Sequence, residues 1–341
     1  MKYQILGTSG LRVSEFCLGT MTFGEEFKWG SSKEISEQVF NQFVDAGGNF
    51  FDTANYYTKG TSEKWLGEFI RERRKSSVIA TKYTLSTDPS DQNASGNQRK
   101  NLFQAVEESL RRLQTDYIDL YWVHAWDPHT PIEETLRALN DLIKSGKVLY
   151  IGISNAPAWV VAKANTEAKL RGWSPFYALQ LQYSLIERTI EPTFFPFAAE
   201  DNLSILAWSP LAMGVLSGKY HDKAPEKSRF NINPLWGERY LNARNLKIAS
   251  TCVEIAKKRG MTPSQVALKW IQQKNPRIIP IVGAKNGAQL KESLEAFDAA
   301  LTEEDMLILD EASCFDSPFP ESFIQRKEIK AMVSSDAIKT F

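Results

Sequence analysis

Residues 117–124 read YIDLYWVH. The run is rich in β-branched and aromatic side chains, has the length of a strand, and ends on a histidine. Its apolar residues do not alternate with polar ones. A strand of that pattern is covered on both faces, as in a parallel sheet lined by helices. Seven further runs share the pattern: SEFCLG ending at Gly19, NFFD at Asp52, SVIATK at Lys82, VLYIGIS at Ser154, FYALQ at Gln180, LSILAWS at Ser209 and RIIPIVG at Gly283. Each closes on glycine or on a polar residue.

Helical patterns separate the runs. Ser31-Ser32-Lys33-Glu34 reads as a capping box, followed by Ile35, Val39 and Phe43 at helical spacing and stopped by Gly47-Gly48. Thr130-Pro131-Ile132-Glu133 places proline at the first helical position, ahead of Leu136, Leu139 and Ile143, with Gly146 as the stop. Thr262-Pro263-Ser264-Gln265 repeats the device. Eight βα units predict a (β/α)₈ TIM barrel. An open dinucleotide-binding sheet would carry G-x-G-x-x-G after its first strand, and GTMTFG at 19–24 does not match it.

The whole chain, 1–341, reads as one barrel domain. Residues 1–15 suggest a β-hairpin, turning at TSG, that closes the barrel floor. Strand ends fall 26 to 42 residues apart as far as Ser209, then 74 residues pass before Gly283. The excess predicts a long functional loop at 211–240 and an added helix near 242–259. Residues 314–341 form a tail that folds over a barrel mouth or is mobile.

Composition narrows the function. Of 341 residues, 41 are Lys or Arg and 41 are Asp or Glu, so the chain lacks the basic excess of a nucleic-acid or membrane-surface binder. No signal peptide is legible at the N-terminus, and no apolar run approaches the ~20 residues that span a bilayer. Cys17, Cys252 and Cys314 are far apart and fit neither a disulfide framework nor a zinc site, which suits a reducing cytoplasm.

In a barrel of this type chemistry sits at the carboxyl ends of the strands. That rule brings Asp52, Tyr57, Lys82 and His124 together on adjacent strands. Taken singly, each has an ordinary packing reading. Together they suit proton transfer to a carbonyl oxygen while hydride reaches its carbon. A lysine ammonium lowers the pKa of a neighbouring tyrosine, an aspartate holds the lysine, and a histidine orients the carbonyl.

These residues resemble the catalytic tetrad of the aldo-keto reductase superfamily, in the branch of bacterial reductases and potassium-channel β subunits. The tetrad is carried in DTANYY, ATKY and YWVH, and the likeness covers about residues 1–315. It implies an NADPH-dependent reductase of aldehydes or ketones, with NADH possible, in which Tyr57 is the general acid. It also implies cofactor contacts in chain order: Gly19, Thr20 and Met21 after the first strand, and Asp52. Ser154 and Asn155 in GISN and Gln180 in LQLQY hold the nicotinamide carboxamide. Trp208 stacks on the ring in AWSPL, with Ser209, Pro210 and Leu211 near the pyrophosphate. Gly214, Lys219 and Arg229 form a clasp in the inserted loop. Gly283, Lys285, Gln289, Glu292 and Ser293 meet the adenosine end. Ser293 departs from the asparagine usual in the family, and 2′-phosphate recognition falls to Lys285 and Arg229. Met21, Phe23, Trp29, Trp126 and Trp236 are candidate substrate walls, beside Tyr57 and His124.

Two other classes compete. A redox-sensing, slow-turnover NADP(H)-binding subunit would use the same fold. A metal-dependent barrel hydrolase would use His124, Asp127 and His129, but one more histidine, His221, is few ligands for such a site.

Overall fold

The computed structural model describes residues 1–220, 230 and 234–333. Two short antiparallel strands, β1 (Tyr3–Ile5) and β2 (Arg12–Ser14), precede eight parallel ones. These are β3 (Cys17–Gly19), β4 (Phe50–Asp52), β5 (Val78–Tyr83), β6 (Ile118–Val123), β7 (Val148–Ser154), β8 (Phe176–Gln182), β9 (Ser204–Trp208) and β10 (Ile278–Val282). They close in sequence order, β10 pairing with β3, into the expected TIM barrel.

Each strand puts alternate residues inside. The interior cluster contains Cys17, Phe50, Ala80, Trp122, Ala178 and Leu206, while Phe51, Ile79, Tyr121 and Leu179 face the helices. The interior is filled, not hollow. At position 152 a Cβ would lie 2.3 Å from the Trp122 ring, so glycine is what lets that indole occupy the middle of the barrel. Leu6 and Val13 of the hairpin join the same cluster, and the Gly7 amide donates to Ser204 Oγ at 2.8 Å. The hairpin therefore plugs the floor.

Helices α1 (Lys33–Asp45), α2 (Thr61–Ile70), α3 (Arg99–Leu113), α4 (Ile132–Lys144), α5 (Ala158–Arg171) and α6 (Glu191–Glu200) cover the first strands. Two start signals are shifted from their sequence reading. Ser32, not Ser31, caps α1 by accepting the Ile35 amide, and Ser31 Oγ donates to the Lys285 carbonyl. Pro131 caps α4 instead of opening its first turn. The Thr262–Gln265 capping box forms as read, starting the helix Pro263–Lys274.

The inserted segment is not a plain loop. A tight turn spans Ala212–Ser217, a helix runs Pro234–Tyr240, and the added helix occupies Ala243–Arg259. Tyr220, Phe230 and Tyr240 pack ring to ring, with centroids 5.2 and 6.0 Å apart, giving the insertion an apolar centre of its own. Arg229 and His221 lie outside the described residues. The described part of the tail carries two short helices, Glu321–Ile324 and Lys327–Val333. It is fastened to the first turn of α6, where Thr193 Oγ1 donates to Glu321.

Candidate active site

The interior positions that hold the core become polar one alternation later. Two residues beyond Phe50, Ala80, Trp122, Gly152, Ala178 and Leu206 stand Asp52, Lys82, His124, Ser154, Gln180 and Trp208. The strand period thus delivers six of the expected residues to the same end of the barrel interior.

Lys82 is the centre of the group. It is 0% exposed, and its ammonium donates to Asp52 Oδ2 at 2.5 Å, to the Thr53 carbonyl at 2.8 Å and to Tyr57 Oη at 3.2 Å. A charged amine is costly to bury unless it is paired and hydrogen-bonded. Here three acceptors surround it. Desolvation pulls its pKa down, yet the Asp52 charge, with a smaller contribution from its interaction with Tyr57, prevails and holds it above the ordinary lysine value. Gln180 Nε2 donates to the other Asp52 oxygen at 2.9 Å. In this structure Gln180 therefore supports the carboxylate, a contact that reading the motif alone does not suggest.

Tyr57 opens a tight turn, Tyr57–Gly60, and its ring meets His124 edge-on with centroids 5.9 Å apart. The expectation that Lys82 leaves the phenol with a lowered pKa needs correction. Burial raises the Tyr57 pKa more than Lys82 lowers it, and the net shift is upward. Tyr57 is thus a protonated phenol through the neutral range. His124 moves the other way. Burial first, and then the Lys82 charge, push its pKa down to about 3, so the imidazole is neutral. Its buried Nδ1 has no hydrogen-bond partner among the described residues.

Beside this group, the Asn155 side-chain amide donates to Ser154 Oγ at 2.8 Å and to the His124 carbonyl at 3.0 Å, and its oxygen accepts from the Trp208 indole at 3.1 Å. Asn155 and Ser209 hold left-handed backbone, with φ of 50° and 53°, and Pro210 and Leu211 follow directly. Gly214 and Lys219 approach each other, since a Cβ at 214 would lie 2.8 Å from Lys219 Nζ. Gly19 and Thr20 are buried beside Asp52, and the Thr20 amide donates to the Asp52 carbonyl at 2.9 Å. Gly283, Lys285 and Gln289 present surface at the start of the helix Gly287–Glu295, with Glu292 half-buried behind them. Ser293 is 4% exposed and its hydroxyl donates to the Gln289 carbonyl, so it is occupied within its own helix.

The expected walls divide. Phe23 is 1% exposed and packs edge-on against Phe69, so it backs the wall from the core instead of lining it. Trp29 is 7% exposed and lies against Phe27. Met21 is exposed, and Trp126 and Trp236 are half-buried. A further aromatic pair, Phe27 and Tyr56, with rings 5.9 Å apart, was not among the expected walls, and Tyr56 precedes Tyr57 in the chain. Asp127 ties its own loop, accepting from Asn97, His129 and Thr130. Among the described residues no group of His, Cys, Asp and Glu is disposed to hold a metal ion, and no helix is long and apolar enough to cross a membrane.

A sequence profile of the aldo/keto reductase family matches residues 15–313. An aryl-alcohol dehydrogenase of Pestalotiopsis microspora is 37% identical over 333 residues, covering 95% of this chain and 85% of the relative. A norsolorinic acid reductase of Aspergillus flavus is 34% identical, with 94% and 84% covered. An NADP(+)-linked aryl-alcohol dehydrogenase of Phanerodontia chrysosporium is also 34% identical, with 93% and 87% covered. A closed parallel barrel, a family profile over nearly its whole length and relatives of this extent together make the chain a member of the aldo/keto reductase family of NAD(P)H-dependent oxidoreductases.

Proposed function

We propose that this protein interconverts aromatic aldehydes or ketones and their alcohols, using NADPH, with Tyr57 as the acid that protonates the carbonyl oxygen. The observation that carries the reading is the fully buried Lys82, clamped between Asp52 and Tyr57. Such a charge is expensive in a core, and what it does here is face a phenol.

NADPH supplies hydride to the carbonyl carbon when bound. Tyr57, protonated at neutral pH, gives its proton to the carbonyl oxygen. The phenolate left behind is stabilised by the Lys82 ammonium, which Asp52 and the Thr53 carbonyl hold in place. His124, neutral, has an N–H to offer the same oxygen and fixes which way the carbonyl points. Ser154, Asn155 and Trp208 would hold the nicotinamide. Lys285, at the N-terminus of a helix, has the charge and the setting to hold a 2′-phosphate. The half-buried Lys285 and the exposed Gln289 stand together at that helix start.

Aromatic substrates are favoured by the Phe27–Tyr56 pair, whose tyrosine directly precedes Tyr57 in the chain, and by the substrates that the relatives' names state. The test is NADPH oxidation followed across benzaldehydes, aliphatic aldehydes, sugars and quinones. Sustained turnover with a preference for the aromatic carbonyls is the expected result. A single oxidation of bound NADPH without further turnover would replace this reading with that of a cofactor-sensing subunit.

A further inference from the structure

Three consecutive residues after Tyr57 lie in the left-handed region: Thr58 (φ 45°, ψ 42°), Lys59 (φ 54°, ψ 34°) and Gly60 (φ 92°, ψ −8°). Glycine is at ease there. A β-branched threonine is not, and such a residue persists only where its surroundings force it. The forcing groups are visible. Thr58 is fully buried, and its Oγ1 donates to the Phe23 carbonyl at 2.7 Å while accepting the Ser62 amide, in the first turn of α2, at 3.1 Å. Gly24 lies hard against it, since a Cβ at 24 would come 2.7 Å from Thr58 Cβ.

From Ser62 the network runs back to the reacting group. Ser62 Oγ donates to the Thr20 carbonyl at 2.7 Å and lies 2.8 and 2.9 Å from the hydroxyls of Thr20 and Thr53. The Thr53 carbonyl accepts from Lys82, and the Thr20 amide and hydroxyl both donate to the Asp52 carbonyl. Thr20, Thr53, Thr58 and Ser62 are all fully buried. In the other direction the loop carrying Phe23 is fastened to the expected adenosine end, Thr22 Oγ1 donating to the Ala284 carbonyl and Ser31 Oγ to that of Lys285, each at 2.9 Å.

We propose that Thr58 is a positioning residue for the acid: its hydroxyl, tied to the Phe23 carbonyl and to the start of α2, holds the left-handed turn that keeps Tyr57 Oη against Lys82 Nζ. The proposal rests on the reading of Tyr57 as the acid. Valine would keep the shape and lose both hydrogen bonds. Glycine would lose the bonds and also relieve the backbone, which separates anchoring from strain. Serine would keep the bonds.

The experiment measures kcat for an aromatic aldehyde at saturating NADPH, NADPH affinity by quenching of tryptophan fluorescence, and the pH dependence of alcohol oxidation, in Thr58→Val, Thr58→Gly and Thr58→Ser. Expected is a fall in kcat of about 10- to 100-fold in the valine and glycine variants, the scale of a misplaced reacting group. NADPH affinity stays unchanged, and serine restores most of the rate. The acid limb of alcohol oxidation, where the base is lost to protonation, moves to higher pH in the two impaired variants, because a phenolate further from Lys82 is harder to form. A folded glycine variant with wild-type kcat and an unmoved limb overturns the role of Thr58 alone. Equal losses in serine and valine that follow the loss of folded protein overturn it too. A wild type without turnover overturns the underlying reading and, with it, this one.

Discussion

Replacing Lys82 with methionine keeps the chain out to Cε and deletes the charged terminal amine. Asp52 is then a carboxylate 2% exposed to solvent with Gln180 as its remaining side-chain donor. Breaking a buried ion pair by removing one partner costs about 3–5 kcal/mol, because the other charge stays buried. Unfolding entropy is about 2.1 cal/mol/K per residue. For 341 residues that makes roughly 0.7 kcal/mol/K, so the loss corresponds to a fall in Tm of about 4–7 °C. The deficit depends on pH with a definite sign. Burial raises the Asp52 pKa above its unfolded value, an effect that the missing ammonium no longer opposes. The folded variant therefore takes up a proton first as pH falls. Its deficit is full above that raised pKa and shrinks toward acid. Thermal unfolding at pH 5 and pH 7.5, for wild type, Lys82→Met and the double variant Asp52→Asn/Lys82→Met, tests this. The double variant should regain part of the lost Tm at pH 7.5. A single variant as stable as wild type at pH 7.5, or a double variant no better than the single, would refute the account of a charge held by its partner.

Tyr57→Phe should lower kcat by about 100-fold or more in steady-state NADPH oxidation while cofactor affinity holds, since the proposed general acid is removed and the residues proposed to hold the cofactor are untouched. His124→Asn should flatten the acid limb of stability. With the folded imidazole titrating near 3 and the unfolded one at its ordinary 6.5, the unfolded state binds the proton first, so wild-type stability is present above 6.5 and is lost as pH falls through this window. Urea midpoints between pH 3.5 and pH 7 report it. Lys285→Ala should weaken NADPH by about 10- to 150-fold and NADH far less, the range of a charge-assisted contact to phosphate. Titration of both cofactors by fluorescence separates that result from an equal loss for both.

The barrel was legible because buried parallel strands are written as continuous apolar runs, and each run ended within a residue or two of its structural end. The gathering of Asp52, Tyr57, Lys82 and His124 was legible because the strand ends converge. What escaped the sequence has physical reasons. The upward shift of Tyr57 depends on how far the ring is enclosed, which a tally of nearby charges does not contain. Gln180 bonding to Asp52 bridges 128 positions of chain. The hydroxyl cluster of Thr20, Thr53, Thr58 and Ser62 has no periodicity, since short polar side chains suit turns and caps anywhere. Ser31 and Ser32 are chemically equal candidates for the α1 cap. Only the reach of Ser31 to Lys285, 254 positions away, decides between them.

The alternation along the barrel strands acts as a reading frame shared by folding and chemistry. Phe50, Ala80 and Trp122 fill the interior, and the next inward positions are Asp52, Lys82 and His124. A single residue inserted early in β5 would turn Lys82 outward toward the helices and bring Thr81 to the place of the ammonium. The same slip would take Ala80 out of the interior beside Trp122. A frameshift in space of this kind spares neither property, so a chain that keeps its barrel intact through such strands keeps its polar group in phase as well.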